Sequence, residues 1–337
     1  AGIHGNSKVM KICLISNYSP PLDEGMKNVA YYLGVELKKR CEVLNLSLNG
    51  LFSKVFWQQV RDFQPQIIHY IPGPSILSLI IAKFLKLQCS GAKVLMSATQ
   101  PRIPRFLKII LPLLKPDLVL TQSDETENML AGAVYKTTFL PNGVDIERFI
   151  PVSVDTKKKL REKYGLSKGK FIILHIGSIR RRRNLRLLTE LQQKNRDSQV
   201  IVVGSTSTPL EQDIYKGLVE NGCIVWRRYF KNIEESYALS DCYIFPAFTK
   251  LSSIDLPLSV MEAMSCNLPV ISTRFGALTR IFQEGNGLYF AETKEEFLQI
   301  IDTIKNGVEI KTREKVLPYS WIKVASRLEE IYHQAMF

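Results

Sequence analysis

The chain has 337 residues, of which 45% are hydrophobic and 23% charged, a balance that excludes a disordered or fibrous protein. At roughly 150 residues per domain, this length predicts two domains, each with its own core. The net charge of +13 favours anionic partners: nucleic acid, phosphorylated small molecules or an anionic membrane surface.

Residues 1–9, AGIHGNSKV, read as a cloning remnant, with Met10 the expected native start and no signal peptide. Short apolar runs then recur, separated by segments of helical period. The first half holds KICLIS (11–16), CEVLNL (41–46), IIHY (67–70), KVLMSA (93–98), DLVLTQS (117–123) and TTFLPNG (137–143). The second holds FIILHIG (171–177), QVIVVGS (199–205), CIVW (223–226), CYIFPA (242–247), LPVIST (268–273) and NGLYF (286–290). Continuous apolar strands alternating with helices predict parallel sheets covered on both faces. Twelve strands exceed one typical sheet, so two doubly wound domains are expected. The loss of periodicity at 150–158 places the boundary there, with a helix from about Thr156 to Gly165 opening the second domain. The last segment, 320–336, predicts an amphipathic helix with Ile322, Ala325, Leu328, Ile331 and Tyr332 on one face.

The six cysteines are scattered without a CxxC pair, which favours reduced thiols and a cytoplasmic location. The four histidines are too sparse to suggest a metal site. No apolar run reaches the roughly 18 to 20 residues of a membrane span. The segments 71–87 and 101–115 mix apolar residues with cations, among them Arg102, Arg105, Lys108 and Lys115. They read either as core helices with snorkelling cations or as a surface lying on anionic lipid at the inner face of the cell membrane.

Three strings carry chemistry. In IDLPLSVMEAMSCNLPVIST (254–273), a helix from about Pro257 to Cys266 would offer the amides of Leu258, Ser259 and Val260 to an anion. Glu262, further along, suits the two hydroxyls of a ribose, and Asp255 is either a sugar contact or a helix cap. In HIGSIRRRRNLRLL (175–188), Arg180 to Arg183 follow a strand that ends at Gly177. Ligands of open α/β sheets bind beyond such ends, and arginine pairs with phosphate through a planar fork. In SNYSPPLDEGMKN (16–28), Gly25 permits close backbone approach to a ligand. Neither GxGxxG nor GxxxxGK[ST] occurs, which argues against a dinucleotide fingerprint and a P-loop.

Together with LPNGVDIERF (140–149), the VVGS strand end at Gly204, LSDCYIFPAF (239–248) and EGNGLYF (284–290), these strings resemble family 4 glycosyltransferases of the GT-B type. The resemblance covers nearly everything after Met10. It implies two Rossmann-like domains facing across a cleft: an N-terminal acceptor domain of residues 10–150 plus 322–337, and a C-terminal nucleotide-sugar domain of residues 151–321. It implies a UDP- or GDP-sugar donor, no further cofactor, no metal, and retention of configuration. The acceptor would be a saccharide or a lipid-linked molecule. Arg183, with Arg180, would face the donor diphosphate, Glu262 the ribose, and Gly25, Ser178, Gly204 and the start of the 258–266 helix the rest of the donor. Asp255 and Arg183 would be the catalytic pair.

The chain departs from the family pattern at four places. Ile254 replaces the first glutamate of the Glu, seven residues, Glu motif. Ser178 replaces a basic residue, Thr99 or Gln100 a histidine, and Glu24–Gly25 a glycine pair. These departures keep two alternatives open: a nucleotide-sugar-binding homologue impaired in catalysis, and a nucleotide-sugar epimerase. A nucleic-acid partner is not expected, since the arginines lack interleaved aromatics and any known nucleic-acid module.

Overall fold

The computed structural model describes residues 9–18, 20–101, 111–132 and 135–337. Arg102, Arg105 and Lys108 lie outside the described residues. The chain divides into two compact units. The first is Ala1–Leu22, Met26–Pro141 and Trp321–Phe337; the second is Asp23–Gly25 and Asn142–Ser320.

In the first unit, β1 (Lys11–Ser16), β2 (Glu42–Ser47), β3 (Ile67–Tyr70), β4 (Lys93–Ser97), β5 (Leu118–Thr121) and β6 (Thr137–Phe139) form one parallel sheet in the order β2-β1-β3-β4-β5-β6. Between them run α1 (Gly25–Leu37), α2 (Lys54–Phe63), α3 (Ile76–Gln88) and α4 (Asp124–Ala131). The central strands are buried on both faces, which is why they read as unbroken apolar runs.

The second unit repeats the plan. Its sheet is β12-β11-β10-β7-β8-β9, all parallel. The strands are β7 (Phe171–Gly177), β8 (Ser198–Gly204), β9 (Ile224–Trp226), β10 (Cys242–Phe245), β11 (Val270–Ser272) and β12 (Leu288–Phe290). The helices are α5 (Val154–Lys163), α6 (Arg186–Lys194), α7 (Gln212–Glu220), α8 (Glu234–Ala238), α9 (Leu258–Ser265), α10 (Leu278–Ile281), α11 (Lys294–Lys305) and α12 (Thr312–Val316). Strand order reverses between β7 and β10, and such a switch point opens a crevice at the carboxyl ends of the strands.

Three details differ from the sequence reading. Residues 154–158 are not linker: α5 begins at Val154, with Ser153 Oγ accepting the Thr156 amide as N-cap. Residues 142–150 group with the second unit, because Asn142, Val144 and Phe149 are buried there and Val144 pairs with Ser320. The terminal helix α13 (Trp321–Met336) buries Trp321, Val324, Ala325, Leu328, Ile331 and Tyr332, while Ile322 is exposed. The buried arc follows the i, i+3, i+4, i+7 rows, and Ile322 falls off it. α13 belongs to the first unit. His69 on β3 ties it there, with Nδ1 2.7 Å from the Tyr332 hydroxyl and Nε2 2.7 Å from Ser97 Oγ. Trp321 stacks on Tyr32 of α1 at 5.4 Å. No helix of the described residues is long and apolar enough to cross a membrane.

Candidate nucleotide-sugar site

The nominated residues all fall in the second unit, around the crevice between β7 and β10. Gly177 ends β7 and is registered with Gly204 at the end of β8. A Cβ at Gly204 would stand 2.6 Å from Ile179 Cδ1, and one at Gly177 3.1 Å from an Arg183 guanidinium nitrogen. The two strand ends are bare because the loop after β7 folds back over them.

Arg181–Arg183 form a single 3-10 turn in that loop. The four arginines part company. Arg181 pairs with Asp213 at 2.7 Å, and Arg182 donates to the Leu251 carbonyl; both are exposed. Arg180 donates from Nε to the Pro209 carbonyl at 3.3 Å. Arg183 turns inward over the Phe245 ring, 5.4 Å from its centroid. Its Nε is buried without a hydrogen-bond partner. Burial, reinforced by Arg180 and Arg182, pushes this guanidinium down to about 10, although Tyr243 opposes the shift. A cation held in this state is costly to the free protein and ready for an anion. Ser178 is buried, and its carbonyl accepts the Arg180 amide.

Across the switch point, α9 starts at Leu258. Pro257 is the N-cap rather than a first-turn residue, and it makes no side-chain cap bond. The Val260 amide donates to the Pro257 carbonyl at 3.2 Å. Of the three amides expected at the anion site, Leu258 and Ser259 therefore remain, because the tight first turn uses the third. The Ser259 hydroxyl accepts from the buried Tyr243 hydroxyl at 2.7 Å, which joins β10 to the helix start.

Asp255 is 5% exposed in the loop before α9. Its carbonyl accepts the Ala277 amide at 2.9 Å, and the Leu256 carbonyl accepts from the buried Asn142 side chain at 2.8 Å. Gly276, at φ +54°, passes so close that a Cβ there would overlap the Asp255 carbonyl oxygen. The backbone that presents Asp255 is thus fixed from two sides.

Glu262 is half-buried one turn into α9. Its Oε2 accepts from the Tyr237 hydroxyl at 2.6 Å. Burial pushes the carboxyl up to about 7, against the lowering effect of the Tyr237 hydrogen bond and of Arg148.

Gly25 begins α1, and a Cβ there would stand 3.0 Å from Ile254 Cδ1. Ile254 is buried, so the position of the missing glutamate is an apolar contact. Asp23, two residues earlier, accepts from the Thr206 amide (2.6 Å), the Thr206 hydroxyl (2.7 Å), the Ser207 amide (3.2 Å) and the Ser207 hydroxyl. Burial acts to raise this carboxyl, but the four donors outweigh it and hold it below the usual range. In the first unit, Thr99 is buried with its hydroxyl unpartnered, as are the hydroxyls of Ser16 and Tyr18.

Sequence reasoning missed Asp23, Asn142, Tyr237 and Tyr243. Each lies inside a string singled out above or within a few residues of one, but only its partner across the fold reveals its part.

Residues 156–318 match the family model for glycosyl transferases group 1. This segment is a group 1 glycosyl transferase domain. The transferase domain contains Ser178, Arg180, Arg183, Gly204, Asp255, Leu258, Ser259, Val260 and Glu262. The chain is 27% identical over 198 residues to the alpha-galactosylglucosyldiacylglycerol synthase of Streptococcus pneumoniae, covering 55% of this chain and 50% of the relative. It is 26% identical over 312 residues to the sulfoquinovosyl transferase SQD2 of Arabidopsis thaliana, covering 82% of this chain and 58% of the relative. The chain spans about half the length of the curated relatives it matches. Among solved structures, a glycosyltransferase from Rickettsia africae aligns at a TM-score of 0.76 and 16% identity, over 98% of this chain and 99% of that one. Anabaena Alr3699/HepE in complex with UDP aligns at 0.76 and 15% identity, over 96% and 100%. These likenesses establish the GT-B fold, with two Rossmann-like domains, one of them the transferase domain.

Proposed function

We propose that the chain transfers a sugar from a nucleoside diphosphate donor, a UDP- or GDP-sugar, to a hydroxyl of a saccharide or lipid-linked acceptor, with retention at the transferred carbon. The observation that carries this reading is Arg183: a half-buried arginine whose Nε is buried without a partner, in the loop after β7 and across the switch point from the start of α9. A diphosphate would pair with Arg183 and accept from the Leu258 and Ser259 amides. Glu262, held by Tyr237 through one oxygen, would accept the ribose hydroxyls. Asp255 would contact the sugar.

In the transfer, the bond from the sugar carbon to the β-phosphate oxygen breaks and a bond to the acceptor oxygen forms. The acceptor proton passes to the departing phosphate oxygen on the same face, so no protein base is required. Arg183 and the helix amides stabilise the charge that develops on the leaving diphosphate. One such donor is worth on the order of 3–4 kcal/mol in a dry site.

The apolar contact of Ile254 with Gly25 favours a second reading, in which the chain binds a nucleotide-sugar without transferring it. A thermal-shift panel of nucleoside mono- and diphosphates tests the site, since a ligand of the folded state raises its stability by mass action. No shift with any diphosphate overturns the proposal. A diphosphate shift without donor hydrolysis or transfer selects the second reading.

A further inference from the structure

The first unit carries a surface that the donor site does not use. On α3, the side chains of Leu77 (61% exposed), Ile80 (38%), Phe84 (55%) and Leu87 (65%) lie in solvent. Their spacing of three, four and three places them in one stripe along the helix, about 15 Å long. The opposite face, with Leu79, Ile81, Ala82 and Leu85, is buried in the core. α3 is therefore apolar on both faces. Phe52 and Val55, at and just before the start of α2, are also exposed, as is Leu113 in the turn packed against α3.

A contiguous apolar surface of this kind marks an interaction site. Its charges select the partner. Helix α3 contains Lys83 and Lys86 and no acidic residue; Lys86 is paired with Asp117 at 2.5 Å, which leaves Lys83, and α2 contributes Lys54 and Arg61 against Asp62. Between α2 and α3 lies a recess of about 500 Å³ lined by Lys54, Trp57, Gln58, Arg61, Phe84 and Gln88. It offers two cations and two aromatic rings, with no carboxylate in its wall. Two copies of this chain meeting on the stripe would bring these cations together, which disfavours self-association.

We propose that this face docks on an anionic phospholipid bilayer. The α3 stripe enters the interface, and the recess seats a lipid phosphate between Lys54 and Arg61. Trp57, an aromatic ring with one polar edge, lies at headgroup depth, where such rings are favoured, and the Phe84 ring enters with the apolar stripe. Apolar burial and attraction to anionic lipid act together on such a surface.

The test is co-sedimentation of the full chain with vesicles of phosphatidylglycerol and phosphatidylcholine, without donor or acceptor. It therefore stands or falls independently of the transfer reaction. Binding is expected to vesicles rich in phosphatidylglycerol and at least tenfold less to pure phosphatidylcholine. Leu77→Glu/Phe84→Glu should weaken binding at least tenfold, and Lys54→Gln/Arg61→Gln should remove most of the preference for anionic lipid. Both variants change exposed side chains, and an unaltered Tm with retained nucleotide-induced stabilisation confirms that they fold. Failure of the wild-type chain to bind phosphatidylglycerol vesicles would overturn the proposal. So would undiminished binding by Leu77→Glu/Phe84→Glu, or a dimer in solution that this variant dissolves.

Discussion

The Tyr237 hydroxyl donates to Glu262 Oε2 at 2.6 Å, although the tyrosine is on α8 and the glutamate 25 residues on, in α9. The bond aims the carboxylate, while burial holds its proton up to about pH 7. In the unfolded chain an ordinary glutamate loses that proton near 4.5. The folded state therefore binds the proton more tightly, and stability falls as pH rises from about 4.5 to about 7. A shift of this size corresponds to at most about 3 kcal/mol. Glu262→Gln should flatten this part of the pH–stability curve and raise the Tm of the free protein above neutral pH. It should also weaken nucleotide binding, with the loss growing from pH 6 to pH 8 as the wild-type carboxylate ionises. Tm and nucleotide titrations over that range check both. A Tm unchanged at pH 8 would mean that the carboxylate is not strained in the free protein.

Arg183 carries the same tension with the opposite charge. Its half-buried guanidinium lies over Phe245, with Nε buried and unpartnered. Arg183→Met keeps much of the packing and removes the charge. The free protein should lose no stability, while the affinity for a nucleoside diphosphate should fall by roughly 10- to 150-fold, the worth of about 1.5–3 kcal/mol in a charged hydrogen bond. Binding of the bare nucleoside should barely change. Isothermal titration with the two ligands distinguishes this from a general loss of the site, which would weaken both equally.

Pro257, not Asp255, holds the N-cap position of α9. A sugar contact predicts that Asp255→Asn leaves nucleoside diphosphate affinity within about twofold and lowers turnover of the correct nucleotide-sugar by tenfold or more. Turnover per folded molecule is the measurement. An unchanged value would assign Asp255 to the framework and strengthen the non-transferring reading.

Gly276 tests the framework itself. It sits at φ +54° against the Asp255 carbonyl, so alanine there meets both an unfavourable backbone conformation and a backbone atom that cannot move aside cheaply. Gly276→Ala should cost more than about 3 kcal/mol and lower the Tm by several degrees. Chemical denaturation gives the value directly. A loss below about 1 kcal/mol would show that the 275–277 turn is not rigidly coupled to the loop before α9.

The sequence by itself determined the two-sheet architecture, because strands buried on both faces must be apolar along their whole length, and that pattern survives in the linear order. All twelve runs are strands, and the strings 175–188 and 254–273 lie at the carboxyl ends of β7 and β10. It also marked Arg183 and Glu262. Tertiary structure alone decided what holds them. Tyr237 reaches Glu262, Phe245 lies under Arg183, Asn142 anchors Leu256, and Asp23 gathers Thr206 and Ser207 from more than 180 residues away. Local periodicity carries no information about such partners. The same limit explains Val260, whose amide is used by a tight first turn, and Ile322, which lies at the edge of an otherwise correctly phased helical stripe and falls outside the buried arc. The contrast among the four arginines has the same origin: one residue type repeated four times in sequence meets a carboxylate, two carbonyls and an aromatic ring, and only over the ring is a guanidinium nitrogen buried without a partner.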